Sequence, residues 1–153
     1  MVQGVVATKR IVIDANVLFT ASINSKSTSR ELYRCATEGR VTLILCPYTL
    51  SEVRYNLSKK NYTQALDWFD ISLAALKYEH APTPSRAEVR KNRSLIPDDP
   101  NDVPYLVLAK ETKPDYIVSR DHHLLDLGEY HLSERDILIV KPDDFLILMK
   151  TEE

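Results

Sequence analysis

Four carboxylates in this chain sit where ordinary surface acids do not. Asp14 stands inside "RIVIDANVLF" (10–19), after Ile11, Val12 and Ile13 and before Val17, Leu18 and Phe19. An unpaired charge among such neighbours costs several kcal/mol or takes up a proton. Asp121 closes "YIVSRD", Asp102 opens "DVPYLVLA", and Glu52 lies beside the apolar Leu50 and Val53. Each has a plain reading: Asp102 and Asp121 as helix N-caps, Asp14 as the cap of a helix beginning near Asn16, Glu52 as a flanking surface glutamate. Brought together they repel, and their pKa values rise unless a cation sits among them. All-oxygen ligation favours Mg²⁺ or Mn²⁺. Two such ions can activate water and steady the leaving oxygen of a phosphodiester.

The elements that must position these acids alternate between strand and helix. Residues 10–14, "VTLILC" (41–46), "YIVS" (116–119) and "DILIV" (136–140) read as short buried strands. Between them, Thr28 or Ser29 caps a helix over "RELYRCATEG" that Gly39 ends, and Pro47 opens another through Lys59. Further helices are expected over "TQALDWFDISLAAL", "SRAEVRKNRSL", "YLVLAKET" and "PDDFLILMK", with a helical turn at "HHLLDL". This pattern predicts an α/β fold in which helices cover both faces of a mainly parallel sheet of about four to five strands. Ligand sites in such sheets form beyond the carboxyl ends of the strands, where Asp14 and Asp121 fall.

Bulk properties narrow the classes. The chain of 153 residues predicts a single domain, residues 1–153, and 44% apolar and 27% charged residues are ordinary for a globular protein. No apolar run reaches a membrane span, and "MVQGVVATKR" lacks the basic and apolar regions of a secretion signal, so a cytoplasmic protein is expected. Cys35 and Cys46 have no metal-ligand spacing and read as small apolar core residues. Three glycines leave no glycine-rich phosphate loop.

"VIDANVL", "SEV", "DDPNDVPYLVLA" and "IVSRDHHLL", taken in order, resemble the signature blocks of PIN-domain ribonucleases, and most closely the group that serves as toxins of toxin–antitoxin pairs. The resemblance runs from about Lys9 to Lys150. It implies a PIN-like three-layer α/β/α fold and an Mg²⁺- or Mn²⁺-dependent endoribonuclease with Asp14, Glu52, Asp102 and Asp121 as its catalytic and metal-binding quartet. It gives Asn16 and Ser119 supporting roles, with Asp99 beside them. RNA as substrate, an antitoxin protein as partner and a homodimer or higher homo-oligomer follow as expectations. The sequence departs from the family pattern at Ala15, where threonine is usual, at Asn101 and Val103, where acids are common, and at Arg120, where a small residue is usual.

Two local readings accompany these. Val103 and Pro104 place Asp102 at or near an N-cap, while Pro100 biases Asp99 toward an extended, more mobile position farther from the metal. Arg86, Arg90, Lys91 and Arg93, with Arg54 and Arg120, and perhaps with Lys59 and Lys60, form a basic strip suited to RNA phosphates. His122 and His123 read as solvated helix-start residues, and His80 and His131 as loop residues. Two rival readings remain: a PIN-like scaffold that binds RNA or protein without cutting, and a receiver-like phospho-acceptor domain suggested by "ILIVKPDDFLILM". The receiver reading requires an aspartate after a strand near residues 50–60, where "SEVRYNLSKK" has none.

Overall fold

A computed structural model describes residues 8–151 of the chain. Its first strand, β1 (Lys9–Ile13), runs straight into α1 (Ala15–Ile23), followed by α2 (Thr28–Thr37) and β2 (Val41–Leu45). Then come α3 (Pro47–Lys59), α4 (Thr63–Ala75), β3 (Glu79–His80), α5 (Arg86–Lys91) and two 3₁₀ turns at Arg93–Leu95 and Pro100–Asp102. The chain closes with α6 (Val103–Thr112), β4 (Tyr116–Val118), α7 (His122–Leu125), β5 (Glu129–His131), β6 (Asp136–Val140) and α8 (Pro142–Thr151). The local signals act as sequence chemistry requires. Ser27, one residue before the expected cap, accepts the Arg30 N–H at 3.1 Å, and Gly39 takes the positive φ of 74° that ends α2. Lys113, at φ 52°, closes α6 immediately before Pro114.

The sheet has six strands in the order β3-β2-β1-β4-β6-β5, all parallel except β5, which pairs antiparallel with β6. The four long apolar strands match expectation. β3 and β5 are additions: each has only two or three residues, with exposed polar side chains, so neither shows apolar periodicity. His80 and His131, expected in loops, therefore lie on strands, with His80 stacked on Tyr78 and His131 2.7 Å from Asp136.

Alternation along the central strands sorts the core into two layers. Ile11 and Ile13 face Leu32, Val53, Leu57, Phe69 and Phe145, whereas Val12 faces Leu106, Leu108 and Ile139. Helices α1–α4 and α8 thus cover one face of the sheet, and α6 and α7 cover the other. Each fully buried Leu, Ile or Phe contributes about 1.5–3 kcal/mol, enough in sum to hold short strands in place. From β1 the chain moves outward through β2 to β3, then returns to lay β4 on the other side of β1. The connections therefore diverge above the carboxyl ends of β1 and β4, which opens a crevice there. The expected receiver-like acceptor segment, residues 50–59, lies within helix α3.

Candidate active site

Asp14 is the first residue beyond β1, and Ser119 the first beyond β4. The two strands are paired with Ile13 opposite Val118, so the next residues meet. Asp14 is 1% exposed; one carboxylate oxygen accepts the Val17 N–H at 3.1 Å and the other accepts the Ser119 hydroxyl. The plain capping reading of Asp14 is therefore correct, and it explains how the acid tolerates its setting. Burial still dominates and pushes its pKa up to about 6, and the Asp121 charge adds to that rise. The hydrogen bonds from Ser119, Val17 and the Arg120 backbone oppose it. Ser119, itself fully buried, also accepts the Asp121 N–H at 2.9 Å. One hydroxyl thus ties two of the acids together.

Asp121 caps α7 through the His123 N–H at 2.8 Å. Asp102 occupies the N-cap position of α6, yet its side chain accepts no capping hydrogen bond there. The expectation that it works as a cap is corrected: the preceding 3₁₀ turn gives Asp102 helical backbone angles, which point its carboxylate away from the first-turn N–H groups. It is 7% exposed, and its Oδ2 is buried without a partner. Burial, followed by the charges of Asp121 and Asp99, pushes its pKa far above the ordinary carboxylate range.

Asp99 and His123 also depart from expectation. Asp99 is not set apart: it caps the 3₁₀ turn through the Asn101 N–H at 3.3 Å, and its Oδ2 lies 3.3 Å from His123 Nδ1. The rigid Pro100 turn folds it back toward the site rather than freeing it. His123 Nδ1 is also 3.2 Å from Asp121, so this half-buried ring is not a solvated helix-start residue, although its exposed neighbour His122 is. One potential ligand atom from each of Asp99, Asp102, Asp121 and His123 lies within 4.8 Å of the others.

Glu52 joins this group through two tyrosines. It lies beside the Tyr48 hydroxyl, which donates to Asn101 O at 2.8 Å, and its charge reaches Tyr105. The Tyr105 hydroxyl accepts the Ala15 N–H at 3.1 Å. Both phenols are held protonated, chiefly by burial and then by the surrounding carboxylates. The sequence reading passed over both tyrosines. Their signal was helical spacing: Tyr48 is four residues before Glu52, and Tyr105 three after Asp102.

Asn16 is exposed in the first turn of α1, two residues past Asp14, and makes no hydrogen bond with the other described residues. The expected basic strip divides. Arg54 is committed to Asp70 at 2.9 Å and packs over Phe69. The Arg120 side chain turns to Ser29 on the other layer, at 3.4 Å. Both expectations are corrected, because each finds a closer partner on an adjacent helix. Lys59 and Lys60 lie over the Tyr55 and Phe19 rings, while Lys91 is exposed on α5. Arg86, Arg90 and Arg93 line a cleft with Tyr48.

Buried carboxylates with an orphaned oxygen suit a hard cation, because the added positive charge offsets both desolvation and mutual repulsion. Two fold neighbours share the arrangement of strands and helices. PAE2754 from Pyrobaculum aerophilum superposes with a TM-score of 0.64 at 18% identity, covering 97% of this chain and 94% of that one. VapBC2 from Rickettsia felis, solved bound to a DNA fragment from its promoter, superposes at 0.61 with 14% identity, covering 86% of this chain and 98% of that one. At these identities the likeness is one of fold. No curated protein sequence matches the chain. The PIN domain profile matches residues 10–123, so the chain belongs to the PIN-domain family. Members of that family are generally nucleases that use divalent metals.

Proposed function

We propose that this protein is a metal-dependent endoribonuclease, the toxin of a toxin–antitoxin pair, with RNA as substrate and an antitoxin protein as its regulatory partner. The observation that carries the reading is the buried, partnerless Asp102 Oδ2 among Asp99, Asp121 and His123, beside Asp14. Such a surplus of negative charge is costly unless it serves a cation. Family membership supports the nuclease chemistry, and the likeness to VapBC2 supports the antitoxin partner.

Asp14, Asp102 and Asp121 are the residues that would hold Mg²⁺ or Mn²⁺, with Glu52, Asp99 and His123 completing the surround. When bound, such an ion polarises a phosphoryl oxygen and lowers the pKa of water. The protein's own part is placement. Ser119 aligns Asp14 with Asp121, the Tyr105 hydroxyl fixes the start of α1, and Tyr48 braces the Asp99–Asp102 turn. Asn16 sits exposed at the mouth, placed to touch substrate. The test is cleavage of a defined RNA with and without metal. Activity is expected in Mg²⁺ or Mn²⁺ and absent in EDTA; undiminished cleavage in excess EDTA by a nuclease-free preparation overturns the reading.

A further inference from the structure

Helix α5 and the turn that follows carry a row of positive charge that nothing in the fold neutralises. Arg86, Arg90 and Arg93 recur at spacings of four and three, which puts them on one helical stripe. All three are exposed, and none forms an ion pair or hydrogen bond with the other described residues. Glu88, the one acid of α5, is turned instead to Lys110 at 3.9 Å. Like charges at such spacing cost helix stability by a few tenths of a kcal/mol per pair. The arrangement therefore suits an external polyanion better than it suits the fold.

The three arginines line a cleft of about 570 Å³ whose other walls include Tyr48, Pro100 and Pro104. That volume is within the range of about 300–1,000 Å³ of sites that enclose a small ligand. No acid lines it. It abuts the carboxylate site directly: Pro100 and Pro104 flank Asp102 in sequence, and Tyr48 neighbours Glu52. A phosphodiester approaching so many carboxylates is repelled unless positive charge nearby draws it in. The apolar part of the cleft matters as much. The bonds from the Tyr48 hydroxyl to Asn101 O and from the Tyr48 N–H to Thr83 Oγ1 hold the ring in place. Aromatic and proline faces can receive a base only when it is not stacked and paired within a duplex.

We infer that this cleft binds an unpaired stretch of the polynucleotide substrate next to the cutting site, Arg86, Arg90 and Arg93 taking phosphates while Tyr48, Pro100 and Pro104 receive a base. The inference rests on the nuclease reading and narrows its substrate to single strands.

The test measures binding in EDTA, where cleavage is stopped, by fluorescence anisotropy of labelled oligonucleotides. The proteins are wild type, the double variant Arg86→Ala/Arg90→Ala, and the control Arg34→Ala/Lys150→Ala, which removes the same charge on the opposite layer. Because the arginines are exposed, melting temperatures are expected to agree among the three. The α5 variant is expected to bind single-stranded RNA at least about tenfold more weakly at low salt. Its slope of log affinity against log salt is expected to shrink by roughly 1.4, the loss of two single-strand phosphate contacts. The control is expected to match wild type, and duplex RNA to bind at least about tenfold more weakly than the single strand. Single-stranded DNA of the same sequence separates the two sources of unpaired strand, and binding of either supports the cleft.

Unchanged affinity in the α5 variant overturns the inference, as does duplex binding as tight as single-strand binding. Displacement of RNA by a polyglutamate peptide, with the peptide's own binding lost in the α5 variant but no loss of RNA affinity there, marks a protein-docking surface and also overturns it. Cleavage distinguishes the two readings. If wild type cuts RNA in Mn²⁺ while the α5 variant binds it unchanged, only the cleft assignment fails. If RNA binds through the cleft but is never cut, only the nuclease reading fails.

Discussion

Ser119 is the smallest component of the candidate site and one of its most connected. Its hydroxyl donates to Asp14 and accepts from the Asp121 backbone, so one oxygen holds two acids in register. Supports of metal ligands typically carry about 10–100-fold in affinity or activity. Ser119→Ala is therefore expected to weaken Mn²⁺ binding by that order, and Ser119→Thr, which restores the hydroxyl, to recover it. The Mn²⁺-induced rise in melting temperature measures both variants; equal shifts in Ser119→Ala and wild type remove Ser119 from the site. Asp99 and Asp102 also part at this scale. Asp102, buried and orphaned, is expected to lose at least about a hundredfold in cleavage as Asp102→Asn while gaining stability in EDTA. Asp99→Asn, which keeps its oxygen for the Asn101 N–H, is expected to lose on the order of tenfold. Wild-type cleavage by Asp99→Asn would reduce that residue to a turn cap.

At the scale of elements, α6 and α1 are joined by one bond. The Tyr105 hydroxyl reaches from the first turns of α6 to the Ala15 N–H, which α1 itself cannot pair. Tyr105→Phe leaves that buried donor unsatisfied, at a cost of about 1–3 kcal/mol. Urea unfolding is expected to show this as a lower midpoint with an unchanged slope. A midpoint within error of wild type would mean that water or backbone movement satisfies Ala15. The same variant is expected to slow cleavage, because the start of α1 carries Asp14 and Asn16 to the site.

For the molecule as a whole, the clustered acids set how stability varies with pH. Asp14 titrates near 6 in the folded state against an ordinary 3.8, so the folded protein holds a proton that the unfolded chain releases between those values. Stability from this group therefore falls as pH rises from about 4 to about 6, and stays low above it. The cost at neutral pH is on the order of 3 kcal/mol. In EDTA, wild type is expected to lose stability relative to Asp14→Asn between pH 4 and pH 7, and saturating Mn²⁺ is expected to close the gap. Chemical denaturation of both proteins across that range measures it. Parallel curves for the two proteins would show that Asp14 keeps its solution pKa. Among the described residues no helix is long and apolar enough to cross a membrane.

The sequence by itself determined the long strands, the boundaries of α3 and the C-terminal end of α2, because apolar runs, Pro47 and Gly39 act locally. It also marked Asp14, Glu52, Asp102 and Asp121, because a carboxylate beside apolar residues or at a helix entrance stands out in one dimension. β3 and β5 were not legible, since two or three polar residues become strand only by pairing with a neighbour already in place. Nor were the partners of the side chains. Arg54 and Arg120 read as free cations until α4 and α2 brought Asp70 and Ser29 against them. His123 read as solvent-facing until the Pro100 turn folded Asp99 beside it. Propensity and capping depend on residues a few places apart. Ion pairs and the desolvation of Asp102 depend on groups brought together across the chain, and only the tertiary structure decided those.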